Sequence, residues 1–271
     1  MQETIRFQPI GECAIARWNK PQRFDFLHRL PTAPIADTEL LHLSHYCPTV
    51  IRVADDGPRV LILLDPAMVL STPVDKDGRW RPPYAPIALR SLPFWPGEKP
   101  AEILVSPELV AQTADESFAL LDTSDNPSEQ FAAVITWIER LQHGMRQLSE
   151  ASKLIMAADL LVPLVVHQPG LPLPVETDYF TVSPQKVNAL SAARAAAFTS
   201  ARCLPLDLVT ACLFSRRLLA RRVTLQKVDA AAPSVPGESA KEIDFVSPLD
   251  IKLDTSPLFS FEHFVGAEST A

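Results

Sequence analysis

The clearest hydrophobic pattern in the chain is a stripe of apolar residues with three- and four-residue spacing. The stripe consists of Phe131, Val134, Ile135, Ile138, Leu141, Met145 and Leu148. This spacing places the side chains on one face of an α-helix. The preceding sequence supplies a helix start, with Asn126 as N-cap, Pro127 at the first helical position and Glu129 as the acid of a capping box. We therefore predict a long amphipathic helix from Pro127 to about Leu161, with Gly144 as its weak point.

Shorter apolar runs predict strands and further helices. The runs TVIRV and RVLILL flank the turn sequence ADDGP, which predicts a β-hairpin in the centre of a sheet, and AEILVSP predicts another strand. A short helix is expected in DTELLHLSHY, with Asp37 as its cap and Pro48 at its end. Two C-terminal helices are expected, from Pro184 to Arg202 and from Leu206 to about Val223.

Together these patterns predict an α+β fold. We expect a small, mainly antiparallel sheet packed by one long helix and two C-terminal helices. Residues 1–228 are predicted to form this domain. Residues 229–240, DAAAPSVPGESA, have the composition of a linker. Residues 241–271 mix apolar, aromatic and acidic residues, and we expect them to form a tail that docks on the domain.

Composition and charge narrow the functional classes. The chain has 26 prolines and only 8 glycines, so it offers few positions where a backbone can wrap around phosphate. Its net charge is −7, which argues against nucleic acid as a partner. The sequence has no Walker loop, no G-x-G-x-x-G, no G-x-S-x-G and no H-E-x-x-H. The usual nucleotide-binding, hydrolase and metalloprotease motifs are therefore missing, and no cofactor can be named.

Other patterns concern the compartment. The N-terminus lacks the apolar stretch of a secretory signal. The longest apolar run, LIMAADLLVPLVV, is interrupted by Asp159 and Pro163 and is too short to cross a bilayer, so we expect no transmembrane segment. The four cysteines are not paired by spacing and are expected to be reduced; they are Cys13, Cys47, Cys203 and Cys212. These features predict a cytoplasmic protein.

One group of residues resembles a metal-ligand set. His42, His45 and Cys47 form H-x-x-H-x-C. Zinc usually takes three or four ligands, often with a second cluster that closes the site, and the other histidines are isolated along this chain. The pattern favours two ordinary histidines at a helix end over a metal site.

A second group is basic and consists of Arg216, Arg217, Arg221 and Arg222. On a continuous helix these residues would place most of their charge on one flank. They could hold an acidic partner, or a carboxylate or phosphate ligand. The favoured interpretation is a solvated helix end that pairs with the chain's own acidic residues.

The most unusual segment is DGRWRPPYAPIALRSLPFWPG, which begins at Asp77. Its rings lie on a backbone that prolines hold extended, and prolines exclude a central strand. The segment could be a structural strap that covers the core with rings. Alternatively Trp80, Tyr84, Arg90 and Phe94 could line a ligand site for an acidic or aromatic molecule. Structural packing is favoured.

The same segment resembles the signature of the SapC family of bacterial proteins. The matching pattern is D-G-x-W-x-x-x-Y-x-P-x-x-x-R-x-x-P-F, carried by Asp77, Gly78, Trp80, Tyr84, Pro86, Arg90, Pro93 and Phe94. HYCPTVIRV upstream and the segment from DYFTVS to LVTACLFS downstream are similar to further parts of the family. Between the arginine and Pro-Phe this chain has Ser91 and Leu92, where the family often has basic or aromatic residues.

The resemblance implies a function without a catalytic residue to transfer. It implies a non-enzymatic accessory or binding protein, linked to surface-layer biogenesis or export, that acts through a protein partner or a small ligand. The alternative is an enzyme or enzyme subunit with a site around Trp80, Tyr84 and Arg90. Its partner could be a flavin-dependent halogenase-like or oxygenase-like protein, since genes for such proteins often lie beside those of the family.

Overall fold

A computed structural model describes residues 4–110, 117–168, 173–200 and 202–226 of the chain. The strands are β1 (Gln8–Pro9), β2 (Arg17–Trp18), β3 (Thr32–Pro34), β4 (Thr49–Ala54), β5 (Gly57–Leu63), β6 (Phe94–Pro96), β7 (Ile103–Val105), β8 (Phe118–Ala119), β9 (Leu161–Val166), β10 (Val175–Val182) and β11 (Val223–Leu225). The α-helices are α1 (Leu40–Leu43), α2 (Ile87–Arg90), α3 (Pro107–Val110), α4 (Glu129–Ala157), α5 (Pro184–Asn188), α6 (Ala192–Ser200) and α7 (Leu204–Ser215). The mixed content confirms the predicted α+β class, with antiparallel sheets packed against helices.

The main sheet has six strands in the order β11-β9-β10-β4-β5-β3, and every neighbouring pair is antiparallel. The predicted hairpin forms β4 and β5, which pair from Thr49 with Ile62 to Ala54 with Gly57. Gly57 has a φ of 123°, a conformation that residues with a side chain rarely adopt. The hairpin occupies internal positions of the sheet, which explains its nearly continuous apolar sequence.

Two small sheets flank the main one. β1, β7 and β6 form a three-stranded sheet, and β2 pairs with β8. β6 contains the Phe94–Pro96 part of the proline-rich segment and lies at an edge, where the N–H that proline lacks is not needed for a ladder. The strand predicted in AEILVSP is β7.

The predicted long helix is α4, which runs from Glu129 to Ala157. Its cap is Ser128, whose hydroxyl accepts a hydrogen bond from the Phe131 N–H at 3.3 Å, so the prediction of Asn126 as cap is wrong by two residues. The helix ends before Asp159, which has a φ of 56°, and Leu161 already belongs to β9. The chain therefore turns directly from helix to sheet.

Gly144 is a packing position in α4. A Cβ atom there would lie 2.6 Å from the Ala36 Cα and 2.6 Å from the Asp37 N. Both are backbone atoms, which cannot rotate away, so the absence of a side chain lets this segment approach the helix. The glycine that the sequence marks as a weak point is thus a point of close contact between α4 and the Ala36–Asp37 backbone.

The core of the described chain consists of three clusters: a large one between α4 and the main sheet, a smaller one around the small sheets, and a third that includes Val50 and Leu164 of the main sheet and no residue of α4. α4 supplies Leu141, Leu148 and Ile155 to the large cluster. It supplies Phe131, Val134 and Ile138 to the smaller one, which includes Trp18 and Phe94. The two halves of the apolar stripe therefore serve two different clusters.

The C-terminal helices differ from the prediction. The helix expected from Pro184 to Arg202 is two helices, α5 and α6, because the Ser191 hydroxyl accepts a hydrogen bond from the Arg194 N–H at 3.4 Å and starts a new helix. The helix expected from Leu206 to Val223 is α7, which ends at Ser215 and is followed by a 3₁₀ turn over Arg216–Leu218 and by β11.

The predicted linker 229–240 and tail 241–271 lie outside the described residues. Within the described part of the chain, no single helix combines the length and the apolar character that crossing a membrane would require.

Candidate functional site

The signature segment begins with a turn that is fixed by hydrogen bonds. The Asp75 carboxylate accepts the N–H groups of Asp77 at 2.9 Å and of Arg79 at 2.8 Å. These bonds, with that of Arg79 first, hold the pKa of Asp75 below its usual range. Gly78 has a φ of 76°, and its carbonyl accepts the Phe24 N–H at 2.7 Å. The Asp-Gly pair of the signature is therefore a turn that joins the N-terminal segment.

Beyond the turn, Trp80, Tyr84 and Arg90 come together around a buried acid. The Trp80 Nε1 donates to the Tyr84 carbonyl at 2.9 Å, which folds the segment back on itself. The Tyr84 hydroxyl donates to the Glu39 Oε1 at 2.8 Å and accepts from the Arg90 Nη2 at 2.9 Å. The Ile87 N–H, at the start of α2, also donates to the Glu39 Oε1 at 2.7 Å. One carboxylate thus connects the tyrosine and the short helix of the signature.

Glu39 is 2% exposed, and its carboxylate also accepts a hydrogen bond from its own segment of the chain. Its Oε2 accepts the Ala36 N–H at 3.0 Å, so the side chain also closes the helical turn that precedes α1. Both carboxylate oxygens are therefore occupied by donors. This arrangement satisfies the acid in its buried position.

Tyr84 titrates with difficulty in this setting. Burial raises the pKa of its hydroxyl, and the charge and hydrogen bond of Glu39 raise it further, while Arg90 opposes the rise. Tyr84 is therefore a neutral hydrogen-bond donor near pH 7 and is not a phenolate nucleophile.

Arg90 lies between aromatic rings at the edge of this network. Its guanidinium carbon is 5.0 Å from the centre of the Tyr84 ring and 5.5 Å from that of Trp137 on α4. The Lys20 Nζ lies 4.9 Å from the same Trp137 ring. The Arg90 Nε is enclosed and has no hydrogen-bond acceptor among the described residues. The contacts at Arg90 are thus cation–π contacts and one hydrogen bond to a neutral hydroxyl.

Phe94, the fourth predicted site residue, lies elsewhere. Its side chain is fully buried in the smaller core cluster, where its ring centre is 5.1 Å from both Trp18 and Phe131. The structure therefore brings Trp80, Tyr84 and Arg90 together and assigns Phe94 to packing.

Two surface clefts occur away from these residues. One has a volume of about 420 Å³ and lies along the 3₁₀ turn Asp25–Arg29. The other has a volume of about 370 Å³ and lies between α4 and the start of α7. Neither is lined by Trp80, Tyr84 or Arg90, so these three half-buried side chains lie outside both clefts.

The comparison with protein families matches residues 14–221 of this chain to the model described as SapC. The chain belongs to the SapC family. The matched range contains the whole turn, Glu39 and the signature residues around it. No curated protein and no solved structure matches the chain.

The basic cluster of this SapC protein is not on one helix flank, which corrects the prediction. Arg216 and Arg217 lie in the 3₁₀ turn after α7, and Arg221 and Arg222 lie beyond it, before β11. The Arg217 guanidinium is 4.0 Å from the centre of the Phe214 ring, and the Arg222 Nε donates to the Ala67 carbonyl at 2.7 Å. Since the α-helix ends at Ser215, its periodicity does not align the four arginines.

His42, His45 and Cys47 also have separate environments. The His42 ring packs edge-on against Tyr84 at 5.0 Å, and the His45 ring packs against Phe214 at 4.8 Å. Burial raises the pKa of the Cys47 thiol to about 12. Among the residues that the structure describes, no three His, Cys, Asp or Glu side chains are grouped so that they could hold a metal ion.

Sequence reasoning missed Glu39, Lys20 and Trp137. Glu39 lies within the short helix predicted in DTELLHLSHY, and nothing in a single sequence distinguishes it from an exposed glutamate. Trp137 lies one position from Ile138 in the apolar stripe of α4, on the side that faces Arg90. A half-buried tryptophan beside a core stripe was the available signal.

Proposed function

We propose that this SapC-family chain is a non-enzymatic accessory protein that acts by binding another protein. The observation that carries the proposal is that polar groups of the signature form their hydrogen bonds within the protein. The Tyr84 hydroxyl and the Trp80 N–H each have partners inside the protein, and both oxygens of Glu39 are filled. Such groups position a surface and leave no activated nucleophile beside a free base.

The thiols support the same proposal. Burial raises the pKa of Cys47 and of Cys212 to about 12, so neither is a thiolate near pH 7. All four cysteines are free, which favours a reducing compartment, and we place the protein in the cytoplasm. The family name suggests that the partner takes part in surface-layer biogenesis or export, and this link belongs to the proposal.

An enzyme or enzyme subunit is the second candidate, and one observation favours it. The Arg90 Nε has no acceptor among the described residues, while the Nη2 of the same guanidinium donates to the Tyr84 hydroxyl, so an anionic substrate at Arg90 could complete the hydrogen bonding. In that case Arg90 would bind the anion, and the Tyr84 hydroxyl, which its raised pKa keeps protonated, would accept the Arg90 hydrogen bond that positions the guanidinium.

Native mass spectrometry of the tagged protein, purified from cells that produce it naturally, separates the two candidates. The accessory function predicts a second polypeptide in fixed stoichiometry. A bare chain, or one that carries a small molecule and turns it over, would contradict it. The matched variant is Tyr84→Phe, which keeps the ring and removes the hydroxyl: the enzyme candidate predicts loss of turnover, whereas the accessory function predicts that the second polypeptide is retained.

A further inference from the structure

We infer that the surface formed by Lys20, Tyr84, Arg90, Trp137 and Arg140 binds an acidic segment of the partner protein. We call it the cation–aromatic surface. The inference rests on the proposed accessory function and assigns the position and the chemistry of the contact. The partner segment is an extended stretch of chain with closely spaced carboxylates.

The geometry of the surface alternates cations and rings. Arg90 lies beside the rings of Tyr84 and Trp137, and Lys20 lies beside Trp137 on its own side. Arg140 is one turn along α4 from Trp137, and its charge is near enough to lower the pKa of the Tyr84 hydroxyl. Separate parts of the chain therefore contribute to one surface: the N-terminal segment, the signature and α4.

The three cations of this surface lack ion pairs within the described part of the chain. None of Lys20, Arg90 and Arg140 forms an ion pair there, whereas other cations such as Arg29 and Arg59 do. Arg140 makes one long hydrogen bond, to the Thr38 hydroxyl at 3.4 Å. In a chain with a net charge of −7, three neighbouring cations without ion pairs form a local positive surface that an acidic partner would complement.

The nearest acid cannot fill this role. Both oxygens of Glu39 already accept hydrogen bonds, and its side chain is buried beneath Tyr84. Arg90 meanwhile has an enclosed Nε without an acceptor. A guanidinium that has lost water on one side attracts an incoming carboxylate more strongly than a fully hydrated one does. Arg90 is therefore the anchor of the proposed contact, and Lys20 and Arg140 flank it.

The shape of the surface favours a peptide over a small molecule. Lys20 and Arg140 are exposed, and neither of the two clefts includes a residue of this surface, so a ligand that binds these two cations meets an exposed surface and not one of those clefts. In an extended peptide, alternate side chains on one side are about 7 Å apart. Lys20 and Arg90 each lie within 5.5 Å of the centre of the Trp137 ring, so both cations are within reach of carboxylates on a single peptide segment. The rings supply apolar contact between the charges.

The test uses fluorescence anisotropy with a labelled peptide of alternating glutamate and alanine, and the full-length protein. We expect saturable binding that weakens as salt is added. The double variant Lys20→Gln/Arg140→Gln should bind about fivefold more weakly, because each exposed charge pair contributes modestly to binding. The matched control is Lys76→Gln/Arg146→Gln, which removes two exposed cations and should bind like the wild type.

Three results would overturn the inference. One is the absence of peptide binding by the wild type. Another is equal loss in the test and control variants, which would show a response to net charge alone. The third is competition by free glutamate at the concentration of the peptide's glutamate side chains, which would show that isolated carboxylates suffice. A different result would show that the accessory function itself is wrong. Native mass spectrometry would then find no second polypeptide with the wild type, whether or not the acidic peptide binds.

Discussion

The buried carboxylate of Glu39 permits a quantitative prediction. It accepts three hydrogen bonds, from the backbone N–H groups of Ala36 and Ile87 and from the Tyr84 hydroxyl. Glu39→Gln can keep an oxygen towards Ile87 and Tyr84, but its amide group then faces the Ala36 N–H, donor against donor. A buried donor left without an acceptor costs about 1–3 kcal/mol. Glu39→Ala leaves two backbone donors without acceptors and should lose about twice as much, since the half-buried Tyr84 hydroxyl can turn to water.

Urea denaturation followed by circular dichroism measures these losses as free energies of unfolding. In a domain of this size, 1 kcal/mol corresponds to roughly 2–4 °C in melting temperature, so calorimetry gives an independent value. Glu139→Gln removes the same charge from an exposed position of α4 and should change the free energy of unfolding by less than about 0.5 kcal/mol. If Glu39→Gln is as stable as the wild type, or Glu39→Ala is no less stable than Glu39→Gln, the hydrogen-bond argument is refuted.

Three further predictions concern packing and titration. Gly144→Ala should destabilise the fold by about 1–3 kcal/mol, because the new Cβ meets backbone atoms at 2.6 Å. Gly11→Ala is the control, because a Cβ there has open space and should leave stability nearly unchanged. Equal unfolding midpoints for the two variants would contradict the packing argument. Because the pKa of the Tyr84 hydroxyl is raised in the folded state, the stability that its protonated form contributes is complete below pH 10.0 and is lost as the pH rises through the folded pKa. The free energy of unfolding of Tyr84→Phe should therefore fall less at alkaline pH than that of the wild type. Alkylation at pH 8 followed by mass spectrometry should show that the exposed Cys203 reacts and that Cys212 does not, because burial raises the pKa of the Cys212 thiol to about 12. Rapid modification of Cys212 would contradict this prediction and show that the α7 packing opens readily.

Patterns that depend on near neighbours predicted much of the fold. The hairpin β4–β5 follows from two apolar runs around a turn, and α4 follows from its stripe, because spacing along the chain determines which side chains share a face. The edge position of β6 was indicated by its prolines in the same way. These features need no knowledge of what lies opposite in space.

The features that escaped prediction depend on distant parts of the chain. The hydrogen bonding of Glu39 depends on Tyr84 and Ile87, which lie more than forty residues away along the chain. Gly144 is defined by the backbone at Ala36, and a glycine inside a helix has the same local sequence signature whether it is exposed or packed. The break between α5 and α6 depends on one serine hydroxyl, a local competitor that an alanine-rich sequence conceals.

The division of α4 between two core clusters has a consequence for cooperativity. The first turns of the helix contribute side chains to the smaller cluster, and the later turns contribute to the larger one. Unfolding of either cluster would therefore expose part of the same helix. A break in the middle would have to occur near Gly144, where the helix is pressed against the Ala36 backbone. Gly144, where a helix is easiest to bend, is therefore supported by contact with the Ala36 backbone, and the small sheets are linked to the main sheet through α4.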